Sequence, residues 1–242
     1  MNIKDKLFMD QDGLIAHGPI TIVTFGDSVT HGALNSGEID YETVYSNLLK
    51  RKIVQVRNYV PVNVINAGIG GTCAKDSLQR MDHQVLRHQP DLLIVCFGLN
   101  DVNGTLEDYI SSLKIIFEKS QTAGIDTIFM TPNMLNTYVA EDTEEGLKGY
   151  AGVTAQMQTS GKMDLFMQSA VSLAQEMGIT VCDCYKKWKE LNQTQDTTLL
   201  LVNRINHPTR EMHQLFADCL FDTIFDTSVQ KEAESGNTMY KY

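Results

Sequence analysis

The chain has 242 residues and a 43% apolar content, which suits one α/β domain or two small ones with a substantial core. Its net charge of −10 argues against a broad nucleic-acid-binding face and disfavours an anionic membrane surface. No segment approaches the length of a membrane span, and Met1–Asp10 lacks an apolar run long enough for a signal peptide, so a cytoplasmic protein is expected.

Residues 1–18 read as a lead-in. The first strand is expected at Ile20–Phe25, and it runs directly into Gly26-Asp27-Ser28-Val29-Thr30. Tyr41, Val44, Tyr45, Leu48 and Leu49 then form an apolar stripe at helical spacing. A second strand is expected at Val62–Ala67, followed by the glycine cluster Gly68-Ile69-Gly70-Gly71. Leu78, Met81 and Val85 mark another helical stripe, which Pro90 ends.

The third strand, Leu92–Gly98, leads into Asn100-Asp101. Thr105-Leu106-Glu107-Asp108 reads as a capping box opening a helix with Leu106, Ile110, Leu113 and Phe117 on one face and Gly124 as its stop. Ile125–Met130 and Ile179–Asp183 complete the expected strands. All five are continuous apolar runs, as strands buried on both faces require.

Between the last two strands lies 133–161, polar and glycine-containing without clear periodicity. It is expected as a partly ordered lid or rim at the carboxyl edge of the sheet. Leu165–Met177 reads as a helix before Gly178. The last helix carries Met212, Leu215, Phe216, Cys219, Leu220 and Ile224, and the polar tail at 227–242 is expected to fray or pack peripherally. The β-α-β-α order predicts an α/β fold with a parallel sheet of about five strands and right-handed crossovers, in a single domain.

The five cysteines are an odd number without the spacing of a disulfide scaffold, which fits reduced thiols. Cys182 and Cys184 flank Asp183 at a strand end. They are expected on opposite faces, which disfavours one shared metal. His31, His83, His88 and His213 are not at metal-ligand spacings and read as surface or structural residues. Tyr185 and Trp188 read as helix packing, and Arg204 as either a substrate-carboxylate binder or a surface residue.

A serine hydroxyl is a weak nucleophile that needs a base for its proton and donors for the oxyanion. Ser28 follows the first strand, Gly71 the second and Asn100 the third, so all three are expected at one sheet edge. The Gly71 backbone N–H and the Asn100 amide can then point at one oxyanion. His207, in Asn203-Arg204-Ile205-Asn206-His207-Pro208 before the last helix, is the candidate base. Asp27 is expected to hydrogen-bond backbone and shape the turn. The glycine cluster does not fit a dinucleotide fingerprint, whose third glycine falls on Cys73. The serine does not fit the α/β-hydrolase elbow, because position 30 is Thr.

Gly26-Asp27-Ser28-Val29-Thr30, Asn66-Ala67-Gly68-Ile69-Gly70-Gly71, Gly98-Leu99-Asn100-Asp101 and Asn206-His207-Pro208 resemble, in order, blocks one, two, three and five of the SGNH hydrolases, also called GDSL-type esterases and lipases. The resemblance covers about four-fifths of the chain. It implies a three-layer α/β/α, flavodoxin-like sandwich and a serine esterase for small carboxylic esters. It implies Ser28 as nucleophile, His207 as base and Gly71 with Asn100 as the oxyanion hole. No cofactor or metal is implied. The expected partner is a small ester, such as an acetylated sugar or a short-chain ester, with oligomeric state left open.

The chain departs from the family pattern at the third triad member. The aspartate usually three or four residues before the histidine is replaced by Arg204 and Asn203. His207 is therefore expected to be oriented by Asn203 or by a main-chain oxygen. The alternative is a weakened or inactive member that binds a carbohydrate or a protein partner. A flavodoxin-like nucleotide binder lacks a phosphate-binding lysine at the glycine cluster.

Overall fold

A computed structural model describes residues 2–35 and 37–236, with side chains as far as Phe225. Five strands form one parallel sheet: β1 (Ile20–Gly26), β2 (Val62–Gly68), β3 (Leu92–Cys96), β4 (Asp126–Met130) and β5 (Thr180–Cys182), in the order β2-β1-β3-β4-β5. The register aligns the carboxyl ends: Gly26 of β1 lies beside Gly68 of β2 and Cys96 of β3. This order reverses direction between β1 and β3, which opens a crevice at their carboxyl ends.

The helices in chain order are α1 (Ile3–Leu7), α2 (Gln11–His17), α3 (Ser28–His31), α4 (Tyr45–Val56), α5 (Ala74–Ser77), α6 (Met81–Gln84), α7 (Leu106–Thr122), α8 (Lys148–Thr159), α9 (Lys162–Glu176), α10 (Cys184–Leu191) and α11 (Met212–Gly236). Helix α4 packs with α11, and α7 packs with α5 and α9, giving the α/β/α layering. The core is apolar on both faces of the sheet, and every residue of β3 is buried. Each such side chain contributes about 1.5–3 kcal/mol by leaving water.

The structure departs from the sequence expectations in several places. The stripe at Leu78, Met81 and Val85 is not one helix: α5, a 3-10 turn at Leu78–Arg80 and α6 follow one another in short pieces. The strand expected to reach Gly98 ends at Cys96. Gly98 has a φ of +145°, outside the strand region and open to glycine, and a Cβ there would lie 2.5 Å from the Met167 methyl group.

Segment 133–161 contains a full helix, α8. Two glycines and a weak apolar stripe hide it in the sequence, and tertiary bonds hold it. Thr154 donates to Asn136 Oδ1 at 2.6 Å, and Gln158 Oε1 accepts the Leu135 N–H at 2.9 Å. The backbone of the expected tail stays helical as far as Gly236, and 237–242 lie outside the described residues.

Finally, Cys182 and Cys184 are not on opposite faces, since residues two apart along a strand point to the same side. The chain turns at Asp183 into α10, and the two sulfurs lie 3.7 Å apart. Among the described residues, no three His, Cys, Asp or Glu side chains are grouped to hold a metal, and no helix is long and apolar enough to cross a membrane.

Candidate active site

The serine is delivered by a strand-to-helix turn. Asp27 caps the short helix α3: its Oδ1 accepts the Val29 N–H at 3.0 Å. Two glycines let this turn sit against the sheet. A Cβ on Gly26 would collide with Thr30 Oγ1 and lie 2.5 Å from the Cys96 carbonyl oxygen. A Cβ on Gly68 would run into the main chain of Thr30 and His31, so only glycine lets β2 pass so close beneath α3. Asn66 adds a tie: its amide donates to Thr30 O at 2.8 Å, and its Oδ1 accepts the Gly68 N–H at 2.9 Å.

The expected oxyanion donors lie in two loops that are bonded to each other. A Cβ built on Gly70 would be 3.7 Å from the Ser28 Cβ, so the glycine turn stands directly beside the serine. Gly71 has a φ of +78°, which glycine adopts freely. Asn100 Nδ2 donates to Thr72 O at 3.0 Å, linking the loop after β3 to the turn after β2. Asp101 Oδ1 accepts the Ala74 N–H at 2.8 Å and strengthens that link.

Arg80, which carries no motif signature, lies behind this corner. Its guanidinium donates to the Ala67 carbonyl at 2.5 Å, the Gly26 carbonyl at 2.9 Å and Ser77 Oγ at 3.0 Å, and stacks 4.5 Å over the Phe25 ring. It ties the carboxyl ends of β1 and β2 together.

His207 reaches across from the segment before α11. Its Nε2 lies 3.0 Å from Ser28 Oγ, and its Nδ1 lies 2.6 Å from the Leu34 carbonyl oxygen. A carbonyl oxygen only accepts, so Nδ1 carries the proton and Nε2 is left as the acceptor facing the serine hydroxyl. That is the tautomer a general base needs.

The two candidate orienting groups therefore separate. Asn203 makes no hydrogen bond to the imidazole. Its Oδ1 accepts the N–H groups of Ile205, Asn206 and His207, each at 3.0 Å, and its amide donates to Asn206 Oδ1 at 2.9 Å. Its short side chain is consumed by the turn it starts. The acceptor at Nδ1 is the main-chain oxygen. Arg204 is likewise occupied, by Asp142 and by the carbonyls of Leu199 and Leu201, and its φ is +58°.

Burial dominates the electrostatics. It pushes the His207 imidazole below its ordinary value, and the Leu34 carbonyl opposes that shift only in part. The Asp27 carboxyl is pushed up to about 7 and that of Asp101 to about 6, both chiefly by burial, and each leaves one oxygen unpartnered. His213 is buried and pushed down to about 4; its Nδ1 accepts the Tyr45 N–H at 3.3 Å, so it serves the packing of α4 against α11. A cavity of about 320 Å³ opens beside His207, lined by Asn35, Asp142, Glu144, Leu147, Val202 and Asn203.

Residues 24–215 match the model of the GDSL-like Lipase/Acylhydrolase family. A lipoprotein of Bacillus subtilis, YqeF, is 31% identical over 127 residues, 49% of this chain and 51% of the relative. The chain thus matches about half the length of that curated relative. Among solved structures, the acetylxylan esterase Axe2 from Geobacillus stearothermophilus superposes with a TM-score of 0.67 at 20% identity, covering 85% of this chain and 94% of that one. The acetyl xylan esterase AlAXEase gives 0.65 at 21% identity, covering 85% and 100%. LAE5, an α/β hydrolase from the metagenome of Lake Arreo, gives 0.65 at 19%, covering 85% and 94%. These three likenesses concern the fold; the family match over most of the chain carries the classification. The chain belongs to the GDSL-like lipase/acylhydrolase family, a family of carboxylic ester hydrolases.

Proposed function

We propose that this chain is a serine esterase acting through an acyl-enzyme, with Ser28 and His207 as a dyad. The observation that carries this reading is the aligned row Ser28 Oγ, His207 Nε2, His207 Nδ1 and Leu34 O, with steps of 3.0 Å and 2.6 Å at its two ends. Ser28 Oγ attacks the ester carbonyl carbon while its proton passes to His207 Nε2. The tetrahedral oxyanion is received by the Gly71 N–H and the Asn100 amide. Collapse breaks the bond to the alcohol oxygen, which leaves with the proton from His207. Water then attacks the acyl-enzyme, giving its proton to His207, and the second collapse releases the carboxylic acid and restores Ser28.

The missing aspartate is the support for the rival reading, an inactive carbohydrate- or partner-binding member. The Leu34 carbonyl weakens that support, because it selects the same tautomer that an aspartate selects. It cannot supply a full counter-charge for the imidazolium. The dyad is therefore expected to be slower than a full triad, yet competent.

The cavity beside His207 is at the small end of the range for ligand sites, which favours short acyl or small alcohol groups. The Asn35 side chain in its wall suits hydroxyl-bearing alcohols, and Glu144 disfavours anionic ones. Acetylated sugars and other short-chain esters fit this chemistry, and two of the structural neighbours are named as acetylxylan esterases. Turnover of p-nitrophenyl acetate by the wild type, lost in Ser28→Ala, is the expected outcome. Equal turnover by both proteins contradicts the reading.

A further inference from the structure

We propose that Arg210 is a positioning residue that holds the Leu34 carbonyl against His207 and so does, at one remove, the work of the missing aspartate. The inference rests on the reading that Ser28 and His207 are the reacting pair. A carboxylate side chain finds its histidine by rotating about its own bonds. A main-chain carbonyl cannot, so its 2.6 Å approach to Nδ1 is set by where two separate loops lie.

One loop carries the acceptor. It turns back on itself: the Leu34 N–H donates to Glu38 O at 2.9 Å, Ala33 bridges Ile39, and the Asp40 N–H donates to Gly32 O at 2.8 Å. The Ala33 N–H also donates to Ser28 O at 2.9 Å and roots the loop on α3, but none of these bonds reaches the histidine segment. The other segment carries His207 and is pinned to its own neighbours. The Val202 N–H donates to His207 O at 2.7 Å, Leu201 bridges Pro208, and the Thr209 N–H donates to Leu200 O at 3.0 Å.

Arg210 joins the two. It lies three residues beyond His207, and its Nε donates to Asp40 Oδ2 at 2.6 Å while its Nη2 donates to Glu38 Oε1 at 2.5 Å. The two acceptors flank Ile39, which bridges Ala33 in the loop that carries Leu34. Asp40 is itself immobilised: it accepts the Glu42 N–H at 2.8 Å, the Thr43 N–H at 3.0 Å and the Thr43 hydroxyl at 2.9 Å. These donors and Arg210 hold its carboxyl well below the usual carboxylate range. The planar guanidinium thus spans from the histidine segment to a rigid anchor, a task for which a fork of fixed donors is suited. The Arg210 side chain is about half exposed, at 47%, so its loss leaves no buried cavity.

The test compares wild type, Arg210→Ala, Arg210→Gln and Arg210→Lys in p-nitrophenyl acetate hydrolysis, with kcat and KM resolved separately. It is paired with proton NMR of the hydrogen-bonded Nδ1–H of His207 in imidazole-labelled protein. A displacement of about 1 Å between reacting groups costs up to about 100-fold in rate. The expected result is a fall in kcat of about 10- to 100-fold in the alanine and glutamine variants with KM nearly unchanged, and loss or exchange-broadening of the Nδ1–H signal. Lysine keeps one charged donor and restores part of both. Wild-type kcat with an intact Nδ1–H signal in both neutral variants overturns the proposal, as does a fall in kcat with that signal intact. Ser28→Ala and His207→Ala run alongside: undiminished turnover in those two defeats the dyad itself, whatever Arg210 does.

Discussion

The His207 Nδ1 atom lies 2.6 Å from the Leu34 carbonyl oxygen, across 173 residues of chain, where the family pattern leads one to look for a nearby aspartate. The bond fixes the tautomer of the candidate base without adding a negative charge to the site. Most of what distinguishes this chain chemically follows from that exchange of a charge for a dipole.

The role of Asn203 is the first consequence. Its oxygen accepts three successive backbone N–H groups and makes no hydrogen bond to the imidazole. Asn203→Asp keeps that acceptor, so it is not expected to raise kcat. Asn203→Ala removes a cap-like residue and is expected to lower stability by about 1–2 kcal/mol. Thermal unfolding and steady-state kinetics on the two variants check this, and a rate increase in Asn203→Asp counts against it.

The pH–rate profile is the second. In the proposed dyad neutral His207 is the active form, and burial lowers its pKa from the ordinary 6.5, opposed only in part by the Leu34 carbonyl. Activity should therefore hold as pH falls to 6.5 and decline only below it. Measured as kcat/KM for p-nitrophenyl acetate, an acid limb centred above 6.5 contradicts the electrostatic account.

Much of this architecture was legible in the residues. The strands are continuous apolar runs because both faces are covered, and the functional loops follow them because a parallel sheet gathers its carboxyl ends. Ser28, Gly71, Asn100 and His207 each lie in a short motif that local sequence displays. The Leu34 acceptor could not be read, since a main-chain oxygen has no residue-type signature. Arg80 and Arg210 were equally silent: the partners of Arg210 lie 170 and 172 residues away and are set by tertiary packing alone. Helix α8 was missed because burial of Ala151, Thr154, Ala155 and Gln158, rather than a strong apolar stripe, holds it.

Asn100 offers a third test. Its amide is already aimed by a 3.0 Å bond to Thr72 O, which fixes one N–H and leaves the other for an incoming oxyanion. Asn100→Ala is expected to lower kcat by about 10²–10³-fold with little change in KM, the loss typical of one oxyanion-hole donor. A rise in KM at constant kcat would instead assign Asn100 to ground-state binding.

Asp27 makes a prediction about stability. Burial raises its carboxyl from 3.8 to about 7, so the folded state holds a proton that the unfolded state has released. A raised folded pKa contributes stability that is full below 3.8 and lost as pH rises through about 7. Asp27→Asn keeps the oxygen that caps Val29 and removes the titration. The variant should gain on wild type by on the order of 2–4 kcal/mol between pH 4 and pH 8. Denaturant unfolding at both pH values reads the difference directly, and the opposing titration of buried His213 is common to both proteins and cancels. An unchanged difference between the two proteins across that range rules the carboxyl shift out.

The central claim is that Ser28 becomes nucleophilic because His207 accepts its proton. Treatment with a fluorophosphonate, followed by peptide mass mapping, measures this most directly. The account predicts one adduct, on the peptide containing Ser28, forming in the wild type and strongly suppressed in His207→Ala. An unlabelled Ser28, or labelling that proceeds equally well without His207, would contradict it.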